Sequence, residues 1–267
     1  HYCSQGQAVL CETEFPLDQR SPLQNAEGAS IKQGLRTGAF AESVVVDESQ
    51  AVKIPDSIPL DSASLLACGV ITGFGAAANT AALRPGSNVV VIGTGGVGLN
   101  TVQGAAICGA KTIVAVDLSD EKLAAAKSFG ATHGVNPGSE DTVEAIRALT
   151  EGRGADFAFV TVGAAKAIEQ AFELIGRGGT VVLVGMTADG VRTSFEPLTV
   201  ANDCQRVLGS KMGGTRVKVD VPQLVVLYRQ GRLKLDELVT GRYPLEEINE
   251  AVASVRRGEA LRNVIVF

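Results

Sequence analysis

Long apolar runs are missing from this sequence. The most hydrophobic stretches of its 267 residues, at 88–92 and 65–82, are too short or too broken by Gly, Thr and Asn for the roughly 20-residue span a bilayer requires, so no membrane partner is expected. A basic-then-apolar leader is missing as well; the chain opens on His1. An excess of cations is also lacking. The 24 Lys and Arg against 29 Asp and Glu leave a net charge of −5 and are scattered, which argues against nucleic acid as a partner. Cysteine is sparse and odd in number: Cys3, Cys11, Cys68, Cys108 and Cys204 make no disulfide framework, and reduced thiols in a cytoplasmic chain are the expectation. Histidine occurs only at His1 and His133. There is no 20–50-residue repeat and no low-complexity tract. What remains is 45% hydrophobic and 20% charged, enough for a sizeable core in one large α/β domain or two modest ones.

Up to about Leu60 the sequence reads as loops, with a β-branched bias at 40–46 and 50–54 that predicts short strands. Small apolar residues over 63–82 predict a tightly packed helix, closed by a turn at Arg84-Pro85-Gly86. Short β-branched runs at 88–92, 112–116, 132–135, 156–162, 180–184 and 206–208 then alternate with helical patterns at 97–108, 120–129, 142–150 and 165–175. Near-continuously apolar strands separated by helices predict a doubly wound, Rossmann-type parallel sheet in an α/β fold. Its expected strand order is 3-2-1-4-5-6, with a ligand crevice at the carboxyl end of the first strand. Beyond Gly209 come a helix at 221–230, a turn at Tyr243-Pro244, a helix at 245–257 and a last strand at 264–267. No six-stranded sheet needs these pieces. They suggest that residues 209–267 rejoin residues 1–72 in a second domain, with 73–208 inserted between.

The run Gly93-Thr94-Gly95-Gly96-Val97-Gly98 follows the first strand and opens a helix. Taken alone, this glycine spacing is weak. In its context Gly93 permits a tight turn, Gly95 lets backbone approach a pyrophosphate, and Gly98 lets helix and strand pack closely. The phosphates would lie on the free N–H groups at the helix start. Asp117, nineteen residues beyond Gly98, ends the second strand where a carboxylate accepts hydrogen bonds from both adenosine ribose hydroxyls and repels a 2′-phosphate, so NAD is favoured over NADP. The competing role for Asp117 is a helix cap, which Ser119 can fill instead. Lys122, one turn in, is either a ribose contact or a solvated lysine.

Cys68-Gly69-Val70-Ile71-Thr72-Gly73-Phe74-Gly75, the 93–98 loop, Asp117 with Lys122 and the closing Leu261-Arg262-Asn263-Val264 together resemble the zinc-dependent medium-chain alcohol dehydrogenases, along the whole chain. The resemblance implies a Rossmann domain beside part of a GroES-like, mainly-β catalytic domain. It implies Cys68 as a catalytic-zinc ligand, Cys3 and Cys11 as two of four structural-zinc ligands, and Thr72, Val162 and Val184 around the nicotinamide. Gly96 and Val97 would join the cofactor loop, and Arg262 would meet the pyrophosphate; read without the resemblance, Arg262 is a surface cation and Cys68 a small buried hydrophobe. The implied reaction is hydride transfer between an alcohol or aldehyde and NAD, in a homodimer or homotetramer assembled through edge strands near 192–195. The family's remaining ligands and its proton relay have no counterpart here. The chain is therefore expected to be an N-terminally truncated member, with zinc a property of the full-length parent and absent or weak in this chain. Two other readings compete: a catalytically dead NAD-binding module, and a zinc-free quinone oxidoreductase relative, against which Asp117 and the cysteines argue. The specific alcohol is not legible, and a glutathione-linked formaldehyde substrate stays open.

Overall fold

Six β-branched runs form one parallel sheet in a computed structural model that describes residues 1–267 with the exception of Asp18. The strands are β1 (Asn88–Ile92), β2 (Thr112–Val116), β3 (His133–Val135), β4 (Ala155–Val160), β5 (Ile175–Leu183) and β6 (Arg206–Gly209). Their order is β3-β2-β1-β4-β5-β6, and every adjacent pair is parallel, as the alternation predicts. All five residues of β1 and all five of β2 are buried, because a parallel sheet is covered on both faces and its central strands have no solvent side.

The helices in chain order are α1 (Pro16–Gln19), α2 (Leu60–Ser64), α3 (Gly69–Gly75), α4 (Gly96–Ile107), α5 (Asp120–Ser128), α6 (Thr142–Leu149), α7 (Ala165–Leu174), α8 (Pro197–Asn202), α9 (Val217–Arg229) and α10 (Ile248–Arg256). Alternate strand residues divide between two cores, following the period of two. Val89, Val91, Ile113, Ala115 and Phe159 pack with Leu99 and Val102 of α4 and Leu123 of α5. Val90, Ile92, Val114, Val116 and Val160 pack on the other face with Ile146 of α6 and Ile168 and Leu174 of α7. Helix α3 lies backbone-to-backbone on α4: a Cβ on Gly73 would sit 2.3 Å from the Val97 carbonyl oxygen. That contact ties the segment ahead of the sheet to the helix that carries the glycine loop.

Three expectations are corrected. The helix foreseen over 63–82 is broken into α2, a 3-10 turn (Leu65–Ala67), α3 and a π-helical turn (Ala76–Thr80), the break falling at Cys68, whose φ is −137° and ψ −79°. No strand forms at 40–46 or 50–54. β-branched side chains favour a strand only where a neighbour supplies a hydrogen-bonding ladder, and among the described residues none runs beside them; the only bridge in this region joins Gln24 to Ser30. Tyr243-Pro244 is not a turn but the end of β7 (Val239–Pro244), which pairs in parallel with β8 (Arg262–Val266). A proline is tolerated there because the terminal residue of an outer strand need not donate to the ladder.

The two-stranded unit is fastened to the rest by polar contacts. Asn263 of β8 donates to the Ala251 carbonyl of α10 at 2.8 Å and Arg242 of β7 donates to Asp61 of α2 at 2.9 Å. Tyr228 of α9 donates to Asp236 at 2.9 Å, and Ser62 of α2 donates to the same carboxylate. Among the described residues no single helix is long and apolar enough to cross a membrane.

Candidate functional site

The loop between β1 and α4 turns at Gly93, whose φ of +88° suits glycine. A Cβ on Gly98 would stand 1.8 Å from the Gly93 carbonyl oxygen, so strand and helix approach more closely than any side chain permits. Gly95 is the opposite case. It is exposed, and a Cβ there would meet nothing within 4 Å, which leaves a free cradle above the loop. Helix α4 starts at Gly95 with no side-chain cap and no acidic residue in its first turn, so the positive end of its dipole is uncompensated.

Arg262 lies against this helix end. A Cβ on Gly96 would fall 2.2 Å from its guanidinium carbon, and one on Gly69 would fall 2.1 Å from its Nη2, so the side chain is wedged between the two glycines. Burial pushes its pKa below the ordinary value, the nearby Cys68 sulfur acting in the opposite sense, and no described carboxylate pairs with it. Its backbone is pinned by Thr240 of β7, whose hydroxyl donates to the Arg262 carbonyl at 3.2 Å and accepts from Leu261 N–H at 3.1 Å.

Asp117 ends β2 half-buried beside the loop. Its Oδ2 accepts from the backbone N–H of Thr94 at 2.8 Å and from the Thr94 hydroxyl at 3.0 Å, and its Oδ1 accepts from Ser119 N–H at 3.1 Å. Ser119, not Asp117, caps α5, its hydroxyl accepting from Lys122 N–H at 3.3 Å. The Lys122 ammonium lies beside the loop after α10, 3.6 Å from where a Cβ on Gly258 would be. Val162, just past β4, brings Cγ1 to 2.3 Å from a notional Gly93 Cβ, and the preceding Thr161 hydroxyl lies 2.7 Å from the Gly93 carbonyl oxygen. Val184 is buried and its N–H donates to Val160 at 3.0 Å. Thr72 is buried in α3, its N–H donating to the Cys68 carbonyl at 3.0 Å.

The fold thus gathers Gly93, Gly95, Gly96, Val97, Gly98, Asp117, Val162 and Arg262 at the carboxyl ends of the central strands, with Cys68 next to Arg262. Sequence reasoning missed Thr94 and Thr161. Their signal was a hydroxyl at a position where the loop asks only for small backbone, and a β-branched residue paired with the Val162 that was singled out.

The model of the zinc-binding dehydrogenase family matches residues 96–228. An NDMA-dependent alcohol dehydrogenase of Amycolatopsis methanolica is 36% identical over 281 residues, covering 99% of this chain and 73% of that protein. The chain belongs to the zinc-dependent medium-chain alcohol dehydrogenases. Among solved structures, the benzyl alcohol dehydrogenase of Acinetobacter calcoaceticus superposes with a TM-score of 0.91 at 31% identity, over 99% of this chain and 73% of that one. A zinc-binding dehydrogenase of Sinorhizobium meliloti, bound to NADP, superposes at 0.77 with 26% identity, over 94% of this chain and 68% of that one.

In this alcohol dehydrogenase family member the metal donors fit zinc poorly. Cys3 and Cys11 do meet. The Cys11 sulfur accepts from Thr13 and from Cys3, which lowers its pKa, while Cys3, acting as donor to Cys11, is raised. Cys68 is exposed. Yet among the described residues no group of three or more His, Cys, Asp or Glu is placed to hold a metal ion. A structural zinc takes four protein ligands and a catalytic one three. The thiols present complete neither set.

Proposed function

We propose that the chain binds a nicotinamide dinucleotide, NAD in preference to NADP, at a site that serves hydride transfer between an alcohol and an aldehyde. The observation that carries this reading is Arg262. A half-buried guanidinium that pairs with no carboxylate among the described residues, pressed on the positive end of α4, places two positive potentials together, and an anion bridging them relieves both. The cradle over Gly95 supplies the space for it. The bound dinucleotide would supply a hydride acceptor at its nicotinamide ring.

The chain's own residues do the rest. The N–H groups at the start of α4 and the Arg262 guanidinium hold the pyrophosphate. Asp117 accepts from the adenosine ribose and meets a 2′-phosphate with like charge. Val162 and Val184, with Thr72, form the apolar wall that keeps water from the nicotinamide side. Lys122 is a second cation for the adenosine end. The alcohol class is supported by the names of the relatives. Because Cys3, Cys11 and Cys68 do not complete a zinc site, no step is drawn through zinc, and the incomplete donor set favours cofactor binding without turnover as the second reading.

The division into a cofactor domain at 73–208 and a second domain from 1–72 and 209–267 belongs to this proposal, supported by the separate β7–β8 sheet. Residues 192–195 form no strand, so the expected edge-strand contact there is corrected; assembly as a homodimer or homotetramer is supported instead by the open edge of β6, where Val207 is exposed. A cytoplasmic location is supported by five free cysteines. Calorimetric titration with NAD and NADP tests the reading: NAD should bind at least about tenfold tighter, and Asp117→Ala should narrow the gap. Equal affinities in the parent chain would overturn the preference.

A further inference from the structure

We infer that Thr161 is a positioning residue for the glycine loop: together with Asp117, its hydroxyl fixes the peptide between Gly93 and Thr94 before any cofactor arrives. This rests on the dinucleotide reading above and concerns how the loop is made ready for the pyrophosphate. A peptide unit is planar, so its C=O and N–H point in opposite directions and turn together. In the 93–94 unit both ends are held. The Thr94 N–H donates to Asp117 Oδ2 at 2.8 Å, at the end of β2, and the Gly93 carbonyl accepts from Thr161 Oγ1 at 2.7 Å, at the end of β4. β2 and β4 are the two strands that flank β1, so the loop leaving β1 is gripped by a side chain from each neighbour.

The Thr161 hydroxyl has one proton and two carbonyls within reach, Gly93 at 2.7 Å and Ile92 at 3.0 Å. Ile92 already accepts the Thr161 backbone N–H at 3.0 Å, whereas Gly93, a buried residue, receives no other hydrogen bond at its carbonyl among the described residues. A bare buried acceptor is costly, so the proton belongs to Gly93. The orientation this imposes bears on binding. The Gly93 oxygen is turned toward Gly98, whose notional Cβ would lie 1.8 Å from it, and does not border the cradle over Gly95. Were the plane to turn over, an acceptor oxygen would face the pyrophosphate and repel it. Thr161 keeps that oxygen out of the cradle and leaves the N–H groups at the start of α4 to meet the anion.

The test compares the parent chain with Thr161→Ala and Thr161→Ser, which differ from each other by the hydroxyl alone, using NAD, inorganic pyrophosphate and adenosine as calorimetric probes. Thr161→Ala should weaken NAD and pyrophosphate by about tenfold each, the loss of one hydrogen bond that orients the loop. Adenosine should bind it as it binds the parent chain, because Asp117 keeps its bonds from the Thr94 hydroxyl and Ser119 N–H. Thr161→Ser should return all three probes to within about twofold of the parent chain. A merely structural loss would weaken adenosine along with the other two, and that result would overturn the role, as would parent-like pyrophosphate binding in Thr161→Ala or a Thr161→Ser as weak as Thr161→Ala. Amide hydrogen exchange on the unliganded parent chain needs no variant to fold. There the Thr94 amide should exchange at least about tenfold more slowly than that of exposed Gly95, and equal rates would show that the peptide is not held in advance. Failure of NAD to bind the parent chain would instead reject the dinucleotide reading, with the Thr94 amide still reporting on the clamp.

Discussion

At the scale of single residues, the glycine loop separates positions where a side chain would block a ligand from positions where it would break the protein. Gly95 has φ −68° and ψ −173°, an extended conformation open to any residue, and a Cβ there touches nothing. Gly95→Val should therefore leave far-ultraviolet circular dichroism and the melting temperature unchanged while weakening NAD binding by about a hundredfold, roughly 2.7 kcal/mol. Normal affinity in that variant would remove the cradle from the site. Gly98→Ala should do the reverse and destabilise the fold, because its Cβ would be driven into the Gly93 carbonyl. Thermal denaturation of the two variants side by side checks the contrast. The glycines and Asp117 were legible in the sequence because their spacing repeats a physical requirement. Arg262 was not legible from local pattern, since its meaning comes from Gly69 and Gly96, which are distant in sequence and meet it only in the fold. It was reached by family resemblance alone.

At the scale of elements, legibility followed burial. Residues 88–92 and 112–116 were read with their observed bounds because each is buried on both faces and its hydrophobic run stops where the strand stops. The segment at 40–46 has the same β-branched composition, but Phe40 and Val45 stay exposed and no neighbouring ladder accepts it; strand formation is a property of pairs, which a single run cannot report. β7 was missed, and its end read as a turn, for the same reason, its partner β8 lying some twenty residues further on. Helix α5 was placed well because its cap was visible. Ser119→Ala should cost about 1 kcal/mol of stability, measured by urea unfolding, and leave Asp117 its bond from the Ser119 backbone. The clasp between α2 and β7 is pH-sensitive in a defined direction. Arg242 holds the Asp61 carboxyl below its ordinary range, so the pair contributes above about pH 4, and that contribution fades as acid protonates Asp61.

At the scale of the whole molecule, zinc and cofactor part company. The donor sets at Cys3 with Cys11 and at Cys68 predict less than one tightly held zinc per chain by elemental analysis after dialysis, and no NADH formation from primary or secondary alcohols, even where the proposed NAD binding is detected. Stoichiometric zinc with turnover would show that another group completes a site. On the proposed reading NAD should nonetheless raise the melting temperature in proportion to the logarithm of its concentration, since its anionic centre would join α4 to β8, elements more than 150 residues apart in sequence. The wedged Arg262 also bears on laboratory practice. A guanidinium paired with no carboxylate among the described residues, at an uncapped helix end, should recruit whatever oxyanion the buffer provides. Apparent affinities measured in phosphate or sulfate should therefore be weaker than those in an amine buffer of matched ionic strength, through direct competition and not through screening.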